Sequence, residues 1–223
     1  MLEKIIAVFA PHICLGCGVE ENKLLCDGCR HTLPSLPSRC YRCYAITRDY
    51  AVCQKCLRKS SLRHVQAVTT YDGLAKELLH HAKYERAQSG LYELSAQMYE
   101  AYKPYAQPQT ILVPLPTATS RVRQRGYDHA VLIAKDLSQL LAVQMSPVLR
   151  RTTQAHQVGS SRAARFKHME GAFRVTQPAR MQGAHILLID DVTTTGATLE
   201  AAAKVCKQHG AARVDALVYA QAL

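Results

Sequence analysis

The feature that most constrains the fold of this chain is the segment Ile186–Thr198, called here the acidic-threonine segment. Four apolar residues (186–189, ILLI) lead into two adjacent aspartates, and a threonine-rich turn with one glycine (192–198, VTTTGAT) follows. A short continuous apolar run is typical of a buried parallel strand. A turn of small hydroxyl residues that opens a helix presents backbone N–H groups, hydroxyls and the positive end of the helix dipole to a phosphate. The segment therefore predicts a strand, a phosphate-binding turn and a helix in succession.

The two aspartates, Asp190 and Asp191, add a second function to this turn. Carboxylates directly before such a turn accept hydrogen bonds from sugar hydroxyls, or face a metal ion carried by the ligand. The segment thus predicts a pocket for a ribose 5-phosphate. Two alternatives are an ordinary βα unit whose strand ends in two aspartates, and the acidic strand end of a nucleotide hydrolase. The second requires an upstream G-x-x-x-x-G-K-[ST] loop, which this sequence lacks.

The acidic-threonine segment resembles the binding motif for 5-phosphoribosyl 1-diphosphate (PRPP) of type I phosphoribosyltransferases. The resemblance implies that the two aspartates hold the ribose hydroxyls, that the turn wraps the 5-phosphate, and that Mg²⁺ accompanies PRPP. The PRPP-binding residues implied in this way are Asp190, Asp191, Val192, Thr193, Thr194, Thr195, Gly196, Ala197 and Thr198.

Eight of the nine cysteines form C-x-x-C pairs in the first 60 residues. Two residues between thiolates let one turn point both sulfurs at a single ion, and two such turns complete a tetrahedral Zn²⁺ site. All ligands would be cysteines, which leaves no open position, so we expect the zinc to be structural. The simplest grouping is sequential, with Cys14, Cys17, Cys26 and Cys29 on one ion and Cys40, Cys43, Cys53 and Cys56 on a second. A single ion is the alternative, and Cys206 is expected to be a small buried apolar residue.

The length and charge of the chain limit its domain organisation and the kinds of ligand it can bind. A chain of 223 residues accommodates one ordinary domain and a small one, so we expect a zinc-ribbon module at 1–60 and a phosphoribosyltransferase-like domain at 61–223.

The net charge of +11 is concentrated in two parts of the chain: residues 1–60 carry +4 and residues 117–174 carry +7. Such patches suit a polyanion, either nucleic acid or a diphosphate, although a solvated basic face is the alternative. No apolar run reaches the roughly 18 residues of a membrane span, and the first residues lack the pattern of a secretory signal, so we expect a cytoplasmic protein.

Strand and helix patterns alternate after residue 60, which predicts an α/β fold with a mainly parallel sheet flanked by helices. Strands are expected at 65–71, 111–113 and 213–220, with an edge strand at 148–149, and Ser60-Ser61 is expected to be a hinge. Helical periodicity covers 74–102, 129–141 and 197–209. Because ligands bind at the carboxyl ends of parallel strands, the loop 114–125 and the segment 190–198 should meet there.

The loop after Val113 supplies positive charge for a diphosphate. Arginine forks recognise phosphate oxygens bidentately, and Gly126 would let the chain approach the ligand closely. Further arginines at 150–151, 162 and 165 flank a polar stretch without periodicity, which is typical of a lid. The candidates for diphosphate or DNA binding are Lys83, Arg121, Arg123, Arg125, Arg162 and Arg165. No residue stands out as a catalytic base, so the catalytic residues stay unassigned.

Several motifs together resemble the ComF family of bacterial proteins. They are the cysteine pairs, Lys83-Tyr84, Val113–Pro116, Arg123-x-Arg125-Gly126-Tyr127, Arg162, Ala172-Phe173 and the acidic-threonine segment. The resemblance implies a role in natural transformation, in which the protein handles incoming single-stranded DNA beside DNA-uptake or recombination proteins. Alternatives are an active phosphoribosyltransferase on an unidentified base or metabolite, and a non-enzymatic PRPP sensor with a protein partner.

The chain departs from the ComF pattern at two places. The family usually has Asn-Gln where this chain has Asp128-His129, and commonly has Asn where this chain has His168. If the amides contact a base or a diphosphate, the substrate or the activity differs in this chain.

Overall fold

The computed structural model describes residues 12–84, 88–152, 166, 169 and 171–222. The strands are β1 (His12–Ile13), β2 (Glu20–Glu21), β3 (Val65–Thr70), β4 (Thr110–Pro114), β5 (Gln144–Met145), β6 (Leu149–Arg151), β7 (Phe173–Val175), β8 (His185–Thr193) and β9 (Arg213–Gln221). The helices are α1 (Asp27–His31), α2 (Gln54–Leu57), α3 (Gly73–Tyr84), α4 (Gln88–Tyr102), α5 (Thr119–Arg125), α6 (His129–Leu141) and α7 (Ala197–Gln208), and two short 3₁₀ turns cover Lys103–Tyr105 and Pro178–Met181. None of these helices combines the length and apolar character needed to cross a bilayer.

The central sheet has five strands in the order β3-β9-β8-β4-β5, and every neighbouring pair is parallel. The chain leaves β4 toward β5 on one side and leaves β8 toward β9 on the other. The sheet therefore reverses its winding between β4 and β8, and ligands bind at such a switch point beyond the carboxyl ends of the strands. Pro114 pairs with Ile189 at this point, and the N–H of Leu115 donates to the carbonyl of Ile189 at 2.9 Å.

Side chains of β8 alternate between two cores, as the pleat of a strand requires. Ile186 and Leu188 pack in one core with α7, whereas Leu187 and Ile189 pack in the other with α3, α4 and α6. The alternation continues into the acidic pair. Asp190 consequently belongs to the α7 face of the sheet and Asp191 to the α3 and α6 face.

The structure confirms the mainly parallel α/β architecture and corrects several local predictions. The helical stretch 74–102 is two helices, α3 and α4, and part of the loop after β4 is the short helix α5. The strand at 149–151 pairs antiparallel with β7 in a separate ribbon, and the sheet edge beside β4 is β5 instead. β5 has only two residues, so it carries no periodicity that a sequence pattern could reveal.

The cysteine-rich segment (residues 12–60) packs against both cores of the sheet. Leu24 and Leu25 lie in the core that contains α3, whereas Tyr41 and Val52 lie in the core that contains α7. The two serines at 60–61, expected to be a hinge, are instead hydrogen-bonded to Glu200 of α7. The segment is therefore held on two sides of the sheet.

Candidate phosphate site and metal clusters

Asp191 is a buried carboxylate at the carboxyl end of the sheet. One oxygen, Oδ2, lies 2.8 Å from His129 Nε2 and pairs with Lys83 Nζ, while Oδ1 accepts a hydrogen bond from the N–H of Val192 at 2.7 Å. Burial by itself raises the pKa of this carboxyl, but the His129 hydrogen bond and the Lys83 charge outweigh it and hold the pKa far below its usual range. Asp191 is therefore a fixed negative charge.

His129 orients Asp191 through a defined ring tautomer. The Arg125 guanidinium, which can only donate, lies 3.2 Å from His129 Nδ1. This leaves the ring proton on Nε2, which lies 2.8 Å from Asp191 Oδ2. His129 follows the first-turn cap of α6 and is buried. The start of α6 and the Arg125 guanidinium therefore fix the His129 ring, and the ring in turn helps to hold the Asp191 carboxylate in one position.

Asp190 differs from its neighbour in direction and in proton affinity. Its Oδ1 accepts from the N–H of Asp191 at 2.9 Å, and its side chain lies on the α7 face of the sheet. Burial and the adjacent Asp191 charge raise the pKa of Asp190 well above its usual range. The pair thus consists of one ionised carboxylate and one carboxyl that holds its proton strongly.

The threonine turn leads directly into α7. Thr194 is exposed, Thr195 is half-buried, and the side-chain Oγ1 of Thr195 accepts from the N–H of Ala197 at 3.4 Å. Gly196 caps the helix with a left-handed backbone (φ +77°), which glycine adopts without strain. The N–H groups of the first turn therefore open beside the acidic pair, an arrangement suited to an anion.

A cleft of about 700 Å³ lies between α3 and α5, beside this site. Its charged lining is cationic except for Glu77; the basic residues are Lys76, His80, Lys83, Arg121 and Arg125. Lys83 lines the cleft and also contacts Asp191, so the cleft and the acidic pair adjoin.

The predicted cationic residues divide into three groups. Arg121 and Arg125 are four residues apart on α5 and both face the cleft, whereas Arg123 is exposed on another side of the helix. Half-buried Arg151, on β6, has its pKa lowered by burial and by the charge of Arg121, and raised in part by Asp190, so these groups are electrostatic neighbours. Arg162 and Arg165 lie outside the described residues.

The eight paired cysteines form two clusters with the sequential grouping. In each cluster all four Sγ atoms lie within 4.8 Å of one another, and all nine cysteines are free thiols. The first cluster contains Cys14, Cys17, Cys26 and Cys29, and the second contains Cys40, Cys43, Cys53 and Cys56. Tetrahedral zinc with Zn–S bonds of about 2.3 Å separates its sulfurs by about 3.8 Å. The Sγ atoms of Cys17 and Cys26 are 3.8 Å apart, so the donor set and its spacing fit zinc. Cys206 is buried on α7 and belongs to neither cluster.

Comparison with known proteins agrees with this architecture. The family description "Phosphoribosyl transferase domain" matches residues 128–222. Competence protein ComFC of Bacillus subtilis (strain 168) is 27% identical over 203 residues, which are 87% of this chain and 82% of that protein. DNA utilization protein YhgH of Escherichia coli (strain K12) is 28% identical over 201 residues, and competence protein F of Haemophilus influenzae is 25% identical over 202 residues, each match covering 86% of this chain and 87% of the relative. Over most of its length the chain is therefore similar to bacterial competence and DNA utilization proteins.

The departure of this chain from the ComF pattern at Asp128-His129 has a structural explanation. Asp128 accepts from the N–H of Ala130 at 3.2 Å and from the N–H of Thr117 at 3.0 Å, so it caps α6 and ties down the segment after β4. His129 Nε2 contacts Asp191 Oδ2 at 2.8 Å. Both residues hold other parts of the site in place. His168, the second departure, lies outside the described residues.

Three residues that make important contacts in the fold were not identified from the sequence. Tyr41 contacts the threonine turn, Glu200 binds the end of the cysteine-rich segment, and Asp215 organises a polar cluster at the opposite end of the sheet. An aromatic residue inside a C-x-x-C turn is the one local signal that singles out Tyr41. Gly126, expected to allow close approach of a ligand, ends α5 in a left-handed conformation (φ +86°).

Proposed function

We propose that this protein binds PRPP, or a closely related ribose 5-phosphate, in the crevice between β4 and β8, and binds single-stranded DNA along the adjoining cationic cleft. The observation that carries the proposal is the position of Asp190 and Asp191 at the topological switch point, directly before the amino end of α7.

The threonine turn supplies the 5-phosphate site. The first-turn N–H groups of α7 and the hydroxyls of Thr194 and Thr195 converge where the helix dipole is positive. The ribose hydroxyls lie over the acidic pair. Asp190 reaches them from the α7 face, and Asp191 is kept ionised and oriented by Lys83 and His129.

The diphosphate of PRPP requires cations on the other side of the sugar. Arg151 is an electrostatic neighbour of both Arg121 and Asp190, and an anion between the two arginines relieves their mutual repulsion. Mg²⁺ enters with the diphosphate and neutralises part of its charge. The same positional and electrostatic design binds PRPP whether or not the bound ligand reacts.

The cleft between α3 and α5 is the proposed path of a DNA strand. A positively charged groove that follows the backbone is the common feature of proteins that bind single strands. The related proteins carry the names competence protein and DNA utilization protein, which supports a role of this chain in taking up or using DNA. Zinc in the two cysteine clusters stabilises the segment that covers the sheet.

Calorimetric titration in MgCl₂ tests the ribose-phosphate site. PRPP is expected to bind more tightly than ribose 5-phosphate or pyrophosphate alone, since it engages both halves of the site. Equal or undetectable binding of all three compounds would contradict the proposal. Release of pyrophosphate from PRPP in the presence of a nucleobase would instead identify an active phosphoribosyltransferase.

Fluorescence anisotropy of labelled oligothymidylate over a salt series tests the cleft. Lys76→Ala and Arg121→Ala should each reduce the slope of log K against log[salt] by about one. Lys204→Ala is the matched control, because it removes the same charge from the exposed face of α7, on the other side of the sheet. An equal reduction in the control would show that DNA binds through overall charge and not through the cleft.

A further inference from the structure

Tyr41, inside the second cysteine cluster, packs against the turn proposed to bind phosphate. The ring is buried, and a Cβ atom built on Gly196 would lie 2.5 Å from Tyr41 Cε2 and 2.6 Å from Cδ2. The ring therefore rests directly on the Cα of Gly196. Any side chain at this position would have to displace an aromatic ring as well as adopt a left-handed backbone.

The hydroxyl of the same tyrosine is bonded to the helix that follows the turn. Tyr41 Oη donates to Glu200 Oε2 at 2.5 Å, and Glu200 lies in the first turn of α7. Glu200 also accepts from the N–H of Ser61 at 2.6 Å and from Ser60 Oγ at 2.9 Å. One side chain thus contacts both the turn and the first helical turn, and the chain that leaves the cysteine-rich segment is tied to the same carboxylate.

The position of Tyr41 depends on the turn that its neighbouring cysteines form. Cys40 and Cys43 flank Tyr41-Arg42, and the N–H of Tyr44 donates to the carbonyl of Cys40 at 2.8 Å. A metal ion bound by both thiolates fixes this turn, because each thiolate then has one allowed direction. Release of the ion frees the backbone on both sides of the ring.

The first cluster provides the contrast. Its corresponding turn contains Gly16, and a Cβ there would lie 3.1 Å from Leu74 Cδ2, at the start of α3. The pair Arg30–Glu93 joins this cluster to α4 at 2.8 Å. The contacts described for the first cluster thus lead to α3 and α4, and those of the second lead to the threonine turn.

We infer that Tyr41 is a positioning residue that couples metal occupancy of the second cysteine cluster to the conformation of the phosphate turn, so that ribose-phosphate affinity depends on the second cluster and much less on the first. The ligand part of this inference rests on the proposed function. The coupling itself is a property of the protein without ligand.

Two matched cysteine variants test the inference. Cys43→Ser and Cys17→Ser each remove the exposed ligand of one cluster, and zinc content is measured for both proteins. Cys43→Ser is expected to weaken PRPP binding by about tenfold or more, since small displacements of a binding turn have large effects. Cys17→Ser should leave it within about twofold. Equal weakening in the two variants would overturn the inference.

Tyrosine variants keep the test decisive if a cysteine variant does not fold. Tyr41→Ala, with the zinc clusters intact, should speed hydrogen–deuterium exchange of the amides of residues 194–200 and weaken PRPP binding. Tyr41→Phe keeps the ring on Gly196 and should restore most of the protection. A protein that merely lost stability would instead exchange faster throughout the sheet.

The exchange measurement also separates the two proposals. If the unaltered protein binds no PRPP, the proposed function fails, but exchange of residues 194–200 still decides the coupling. Unchanged exchange of these amides in both Tyr41→Ala and Cys43→Ser would overturn the inference whatever the affinity for PRPP.

Discussion

The two ends of the central sheet each carry a buried aspartate, and they use it differently. Asp191 lies at the carboxyl end with Lys83 and His129, and Asp215 lies at the amino end with His185 and Arg213. Burial raises the pKa of either carboxyl, and in both the hydrogen bonds and cations outweigh it and hold the pKa far below its usual range. Local chemistry alone therefore does not distinguish a binding site from a structural cluster.

The difference lies in what surrounds each carboxylate. Asp215 Oδ2 accepts from His185 Nε2 at 2.7 Å and from Arg213 Nε at 2.8 Å, and Oδ1 accepts from the N–H of His64 at 3.0 Å. This cluster joins the first residues of β8 and β9 to the segment before β3. At the other end, Asp190 is a second carboxyl with a raised pKa, and a helix begins beside it. At the amino end, the carboxylate of Asp215 is paired with neighbouring donors. At the carboxyl end, two adjacent carboxyl groups lie beside a crevice.

The largest expected effect concerns stability. Asp215→Ala should lower the free energy of unfolding by roughly 3–5 kcal/mol, because it leaves Arg213 and His185 without their buried partner. Urea denaturation followed by circular dichroism measures this loss. A change below about 1 kcal/mol would show that the cluster is not the structural counterpart of the Asp191 site.

The pH dependence of Asp215 has a defined sign. Its folded pKa lies below the unfolded value of about 3.9, so its stabilisation is present above that pH and is lost as the pH falls toward the folded pKa. The stability difference between the unaltered protein and Asp215→Asn should therefore shrink below about pH 4.

The second effect concerns ligand binding at the other end. Asp190→Asn/Asp191→Asn should weaken PRPP binding by about 100-fold or more, since it removes charge-assisted hydrogen bonds to the ribose. Asp215→Asn, measured by calorimetry in parallel, should bind PRPP within about twofold of the unaltered protein. Similar losses in both proteins would contradict the assignment of binding to the carboxyl end.

The third effect is a gain in stability. Asp190→Asn should raise the free energy of unfolding of the ligand-free protein by about 1 kcal/mol at pH 7, since it removes a carboxyl whose ionisation burial opposes. Its Oδ1 remains available to accept from the N–H of Asp191. The folded pKa of Asp190 is raised, so its destabilising contribution develops as the pH rises above about 4 and the gain should vanish below that pH. Thermal melts at pH 4 and pH 7 check the sign, and a loss of stability at pH 7 would refute it.

The last effect concerns the orientation of Asp191. His129→Gln keeps an N–H donor for Asp191 and should change PRPP affinity by no more than about threefold, whereas His129→Leu removes the donor and should weaken binding by about tenfold. Calorimetry on both proteins measures the difference. Equal affinities would show that Lys83 alone fixes the carboxylate.

Much of the architecture was predictable from local patterns. The apolar run before the aspartates predicted a buried strand, the 129–141 periodicity predicted a helix with the observed bounds, and the paired cysteines predicted two sequential clusters. The strand is longer than the apolar run, because β8 extends through the aspartates to Thr193. The partner β9 continues its pairing to that point, which a local pattern does not report.

Sequence alone determined which kinds of chemistry this protein carries, because turn spacing, strand periodicity and helix capping depend on residues close together in the chain. Only the tertiary structure decided how these parts meet. Tyr41 contacts a glycine 155 positions later in the sequence, and His64 donates to an aspartate 151 positions away. Such contacts depend on the order of strands in the sheet and on the face that each element buries. That order separates the proposed binding end of the sheet from its structural end.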